Sequence, residues 1–465
     1  MKPKLIFGLL FWVFFVIVSC NRDNFDFQAP SQALRFSKDT ILCDTVYNQV
    51  RSETYMLKVY NKEDKDVRIP KIFLEQGTAS QYRINIDGKA GYNFENIPLR
   101  AKDSLLIFIE IAPNSTATQA IAKDRILFAN PAGQQHVTLL SVVQDAEFFV
   151  STADQPKIIS ANTTWDSTKV KIILGELSIA DGVSLNIEQG TKVYFMKNSG
   201  LKIGKNASLN VNGKLNAEVV LRGERNETRY DTLPKNWNGI SLEKGALLNM
   251  NYARVFGGTT GLSLNHATAN IKNTIVHTFQ DYGIYGINAK VYAENLVMNN
   301  CGRANIGIFK GGNYEFLHTT LANYWDLAAT SALAIYAQND WKNNSGVTET
   351  ASLVLSFKNS IAYTHASNAI EFKPTSGQVF NYLFENSLIR FAVGSGYSWD
   401  GNTAIVNSIQ NQDPQFLNFY TEKMNLRIAE SSPAKAKGKV ATAQQVPLDI
   451  KGMSRTSLPS LGAYQ

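Results

Sequence analysis

Cysteine is scarce. Three occur in 465 residues, at 20, 43 and 301, which leaves no basis for a disulfide scaffold. Cys43 and Cys301 fall in stretches that read as different domains, so both are expected to be buried thiols acting as small apolar residues. Histidine is almost as sparse, with five residues. His266, His277 and His365 stand at no metal-ligand spacing, which argues against a zinc site. The basic residues are scattered, with no Lys/Arg cluster, zinc-finger or helix-turn-helix pattern, and this argues against a nucleic-acid partner. A phosphate-binding loop, a dinucleotide fingerprint and a G-x-S-x-G elbow are all missing. So is a sustained 3.6-residue apolar period, which excludes a helical body. After the first twenty residues no apolar run approaches the length of a bilayer span.

What is present begins with a leader. Lys2 and Lys4 precede an unbroken apolar stretch, Leu5 to Val18, which is too short to span a membrane comfortably and suits a signal peptide. It ends Ile17-Val18-Ser19-Cys20, which resembles a bacterial lipobox. That resemblance implies cleavage after residue 19, acylation of Cys20 and a lipid bilayer as partner. The expected location is the envelope of a Gram-negative bacterium, at the outer membrane. Residues 20–30 then read as a tether. The formal charge of +7 becomes +5 without Lys2 and Lys4, a mildly basic surface that favours acidic glycans.

Short alternating runs broken by Gly, Asn and Asp dominate the rest, so the expected class is all-β. Over 31–148, Leu57 and Val59, then Ile107, Ile109 and Ile111, then Val137, Leu139 and Val143 alternate with their neighbours at the spacing of a β-sandwich. The order of "KVYNKEDKDVRIPKIFL", "LRAKDSLLIFIEIAP" and "DRILFANPAGQQHVTLL" resembles immunoglobulin-like modules of the ASPM/SPD-2/hydin type, which implies a spacer or adhesion unit. Residues 149–169 read as a linker or cap.

From 170 to 420 the chain repeats. "SLNI" at 184–187 recurs as "SLNV" at 208–211, an interval of 24. "GISL" at 239–242 recurs as "GLSL" at 261–264 and "GIYG" at 283–286, both at intervals of 22. A period of this size with two or three short strands per repeat predicts a β-solenoid of roughly eleven turns. Leu185 and Ile187, Leu209 and Val211, Ile240 and Leu242, and Leu262 and Leu264 are expected to stack in columns, because no single turn can bury its own apolar face. A second register places Asn251, Asn273, Asn295, Asn359, Asn386 and Asn407 at equivalent bends, with His318 replacing Asn at one rung. Asn tolerates the left-handed backbone of a sharp bend, and stacked amides bond one another.

The segment containing Tyr230, Asp231, Pro234, Trp237, Gly239 and Ile240 resembles the lead-in to the coil in a family of bacterial right-handed parallel β-helix repeat lipoproteins. Residues 421–465, with the "DP-x-F" just before them, resemble that family's closing segment. The matching positions are Asp413, Pro414, Phe416, Ser432, Pro433, Ala434, Gly438, Asp449, Gly452, Arg455, Pro459, Gly462, Ala463 and Tyr464. Lys435, Ser460 and Gln465 stand where the family usually has acidic residues, so a site depending on those is absent. The resemblance implies an all-β architecture, an N-terminal β-sandwich followed by a right-handed parallel β-helix, and it implies no activity.

Enzymes on parallel β-helices carry carboxylates on neighbouring turns. Here residues 239–340 contain only six acidic residues, Glu243, Asp281, Glu294, Glu315, Asp326 and Asp340, with no close pair. Stepping by 22 and 23 residues brings Asp281, Arg303 and Asp326 to one edge of the coil, flanked by Tyr282, Tyr324 and Trp325. Asp281, Arg303, Tyr324, Trp325 and Asp326 are therefore the candidate glycan-binding residues, with a salt-bridge ladder that only sets register as the plain alternative. The expected function is non-catalytic binding of polysaccharide or a protein partner, with no cofactor. The alternatives are a lyase or glycosidase acting on acidic glycans, with Ca²⁺ in the lyase case only, and a structural or adhesive surface protein.

Overall fold

The computed structural model describes residues 27–43, 45–47, 51–113, 119–131, 133–225, 228–328, 332–343, 345–392 and 398–465. Cys20, the signal segment and residues 21–26 of the tether lie outside them. The described protein is all-β and divides into two compact units, up to Gln144 and from Asp145. Cys43 and Cys301 are buried, one in each unit.

The first unit has two mostly antiparallel sheets. Strands Arg35–Phe36, Tyr55–Tyr60, Ser104–Ile111, Tyr82–Ile86 and Lys89–Gly91 form one. Thr40–Leu42, Gln135–Gln144, Gln119–Ala129, Val67–Leu74 and Asn93–Leu99 run through the other. Alternation decides which side chains meet between them. Ile107, Ile109 and Ile111 are fully buried, while Leu106 and Phe108, at the alternate positions, are exposed. Both sheets contribute to a single apolar core containing Leu57, Ile69, Ile109, Ile126 and Val137.

The second unit is built of parallel sheets. An 11-stranded sheet takes strands at rising positions from Ala146–Val150 to Ile409–Gln410, and a 17-stranded sheet takes most of the rest, with two short antiparallel pairs, Asp340–Lys342 with Thr348–Thr350 and Phe416–Asn418 with Asn425–Ile428, beside them. Each strand pairs with its equivalent one repeat later, so the unit is solenoid-like. Residues 149–169 belong to this stack. Ala146–Val150 pairs with Val170–Leu174, and Thr163–Trp165 pairs with Ser184–Glu188. The linker-or-cap stretch therefore supplies strands of the first turn.

Inward residues form columns. Ile187, Val211, Met250, Ile271, Ala293, Phe316, Phe357 and Phe384 follow one another in register. All are 2% exposed or less. Leu201, Ile240, Leu262 and Ile284 form a second column. The two repeated motifs thus belong to different columns. Leu209 continues to Leu248, not to Ile240. Burying each Leu or Ile contributes about 2 kcal/mol, and only the neighbouring turns provide that burial.

The bends carry the expected backbone. Asn273, Asn295, His318, Asn359, Asn386 and Asn407 all have φ between 47° and 52°. At the first rung the left-handed residue is Tyr252, one position after Asn251. The side-chain ladder nevertheless includes Asn251, whose Oδ1 accepts from Asn273 at 2.9 Å, and Asn295 donates to Asn273 at 2.8 Å. Asn359 donates to His318 Nε2 at 2.9 Å, so the histidine does take a rung. A second ladder, Asn186, Asn210, Asn249 and Asn270, runs along the outward positions of the "SLNI" strands at 2.8 to 2.9 Å.

Excursions interrupt the step. Over residues 228–238 the chain runs outside the coil's strands and returns through Trp237, which is buried, stacks on Phe195 at 4.1 Å and donates to the Phe256 carbonyl. Gly239 follows it with φ at 117°, where a Cβ would lie 1.6 Å from the Thr260 carbonyl oxygen. Another excursion is a hairpin, Asp340–Lys342 against Thr348–Thr350.

Candidate functional site

The register of the 17-stranded sheet places Tyr285, Gly307, Tyr336 and Glu371 in one outward column. The equivalent positions of earlier turns are Ser241 and Ser263. Small polar residues therefore give way to aromatic ones at this point of the coil. Tyr282, Tyr285, Phe309 and Tyr336 form a continuous stripe, with ring centroids 4.8 to 5.8 Å apart. Gly307 makes the stripe possible. A Cβ there would meet the Tyr282 ring at 2.7 Å and the Phe309 ring at 3.1 Å.

Tyr282, Phe309 and Tyr336 of the stripe line a groove of about 630 Å³, together with Asp281, Arg303 and Trp325. Asp281 and Arg303 stack across adjacent turns. The Arg303 amide donates to the Asp281 carbonyl at 2.8 Å, and its Nε donates to the carboxylate at 3.1 Å. Burial raises the Tyr282 and Tyr285 phenols above their usual value. The Tyr282 phenol, then the Asp281 carboxylate, push the Arg303 guanidinium further up. The hairpin bends toward the stripe and is held at two points. Trp341 donates to the Tyr285 hydroxyl at 3.3 Å, and Lys310 is ion-paired with Glu349.

Of the five residues chosen from the sequence, the structure brings Asp281, Arg303 and Trp325 to this groove. Two go elsewhere. Tyr324 is buried against the closing segment, stacked on Phe419 at 4.2 Å with His365 edge-on at 4.5 Å. Its neighbour Trp325 points into the groove, because successive residues of an extended chain face opposite ways. Asp326 is exposed and is not among the described lining residues. The 23-residue step from Arg303 fails here. Ala304 pairs with Leu333, so the chain makes an extra loop and Asp326 sits within it. Sequence reasoning missed Phe309, Tyr336 and Trp341. The signal available for Tyr336 was an aromatic residue in a column where earlier turns carry Ser, and for Phe309 an aromatic residue in a column where earlier turns carry Asn265 and Ile287.

No group of three or more His, Cys, Asp or Glu placed to hold a metal ion occurs among the described residues. No helix among them is long and apolar enough to cross a membrane.

No family model matches the chain, and no curated protein does. Among solved structures, a family 123 glycoside hydrolase from Clostridium perfringens, analysed for glycolipid glycan hydrolysis, aligns with a TM-score of 0.20 at 9% identity. The alignment covers 29% of this chain and 30% of that one, and it carries no argument about fold or activity.

Proposed function

We propose that this chain is an envelope lipoprotein, anchored through acylated Cys20, that binds polysaccharide without turning it over. In this reading the second unit is a right-handed parallel β-helix of the lipoprotein repeat family. The first is an immunoglobulin-like spacer holding the coil away from the bilayer. The 22- and 24-residue steps and the parallel pairing support the coil assignment. The lipobox-like run before Cys20 supports the anchor.

The observation that carries the binding role is the aromatic stripe on successive turns, open to a groove and bordered by polar side chains. Aromatic faces pack against the C–H faces of sugar rings, and buried apolar area with a few placed polar groups is the usual recipe of a ligand site. Binding without turnover follows from the carboxylates. Asp281 is the one carboxylate among the described lining residues and is engaged by Arg303, whereas glycoside hydrolysis needs two. The test is affinity electrophoresis of the full chain in detergent through gels containing a panel of polysaccharides. At least one is expected to retard it. Tyr336→Ala and Phe309→Ala are each expected to weaken that retention about tenfold, or about 1.4 kcal/mol. Retention unchanged in both variants would rule out the groove as the binding surface.

A further inference from the structure

Three cations bordering the aromatic stripe are neutralised by paired carboxylates. Arg303 lies 3.1 Å from Asp281, Lys373 lies 2.9 Å from Glu371, and Lys310 is paired with Glu349. These pairs flank the stripe on several sides. Arg303 and Asp281 line the groove beside Tyr282. Lys373 stands 5.2 Å over the Tyr336 ring, and Lys310 directly follows Phe309. The basic charge of the whole chain is thus not expressed at this surface. Three positive groups are matched by three carboxylates, each near enough that a polyanion approaching the groove meets both signs together. The field of such a pair falls off much faster than that of a lone charge, so it neither steers nor holds a polyanion. What remains on offer is ring faces, and ion pairs whose remaining donor and acceptor positions suit hydroxyl groups. The partners also hold each other's charge. Glu371 raises the Lys373 ammonium, and Lys310 lowers the Glu349 carboxylate, so the pairs stay closed through neutral pH.

We infer that the groove takes an uncharged polysaccharide, a polymer of neutral hexose or pentose rings, and not the acidic glycan that the overall charge suggests. This rests on the polysaccharide-binding reading of the groove. The experiment separates the two. Full-length chain in detergent is run through gels of neutral polymers (a β-glucan, a xylan, a mannan) and of polyanions (polygalacturonate, alginate, chondroitin sulfate), at low and at high salt. Retention by a neutral polymer that changes by no more than about twofold with salt is expected, because stacking is unscreened whereas charge attraction is not. Retention by polyanions alone, or neutral-polymer retention that vanishes in salt, would overturn the inference while leaving the groove reading intact. Retention by nothing would overturn both. A second arm uses Glu371→Gln, which uncovers Lys373. It is expected to gain salt-sensitive retention by polyanions that the parent lacks, and failure to gain it would also count against charge neutrality as the selector.

Discussion

His318 occupies a rung meant for an amide. It sits at φ 50°, fully buried, and accepts from Asn359 through Nε2. It therefore carries its proton on Nδ1 and is neutral. Burial, then the positive charge of Arg455, lower its pKa to about 2. His277 is also fully buried and is held well below its usual value by burial and Arg254. Both folded values lie under the unfolded value near 6.5, so the unfolded chain binds more protons in acid. The stability they contribute is complete above about pH 6.5 and is lost as pH falls towards the folded pKa. For His318 alone the loss is about 2 kcal/mol at a pH of about 5. On the preceding rung, the Asn295 Oδ1 is buried and has no hydrogen-bond partner among the described residues. His318→Asn would keep a residue that tolerates the left-handed bend and would offer Asn295 an amide donor. The expected outcome is a melting temperature at pH 7 equal to or above the parent's, and a smaller drop between pH 7 and pH 5. A variant as acid-sensitive as the parent would show that His318 does not carry this linkage.

The closing segment is an element whose role is set by what it covers. It runs back along the coil, meeting earlier turns as it proceeds. Asn386 donates to the Lys437 carbonyl at 3.0 Å, Asn359 to Lys439 at 2.9 Å and Asn295 to Leu448 at 2.9 Å. Beneath it the 11-stranded sheet is buried on its outer face as well, where Asn299 donates to the Phe419 carbonyl at 2.9 Å. Val297–Cys301 is buried at all five positions, as expected for a strand covered on both sides. Asp449 and Arg455 bind within the closing segment itself. Asp449 Oδ1 accepts from the amides of Lys451 and Met453, and buried Arg455 donates to the carbonyls of Gly462 and Ala463. Ser460 and Gln465 are joined by a bond of 3.0 Å from the Ser460 amide to Gln465 Oε1. Leu461 is 1% exposed and packs on Ile361, Leu388 and Ala434. Leu461→Ala is expected to cost about 3 kcal/mol, read from the shift of the urea midpoint at constant slope. A cost well under 1 kcal/mol would mean the segment is not integral to the coil.

Over the whole molecule the two units have separate apolar cores. The boundary between them lies at Gln144 and Asp145, so the first turn begins earlier than the repeats in the sequence indicate. Phe149 and Trp165 contact each other at 4.9 Å within the coil's own core and cover its first inward column. A fragment of residues 145–465 is expected to unfold in one cooperative transition. A fragment of 170–465 exposes that column and is expected to be at least about 3 kcal/mol less stable, or insoluble. Equal stability of the two in thermal and urea unfolding would return 149–169 to the status of a linker.

The all-β class, the step of 22 to 24 residues, the inward columns and the Asn bends could be read from the chain alone. Each follows from a local rule, strand alternation or the left-handed tolerance of Asn, repeated often enough to stand out. Asp281 and Arg303 came together for the same reason, since one unbroken step separates them. Only the tertiary structure decided the rest. The extra loop before Leu333 slipped the register and carried Asp326 away, while bringing Tyr336 into line with Tyr285. The hairpin added Trp341 to the stripe, and the closing segment took Tyr324 into its own packing. These outcomes depend on insertions and on contacts such as that of Asn295 with Leu448, 153 residues apart, which no local period encodes.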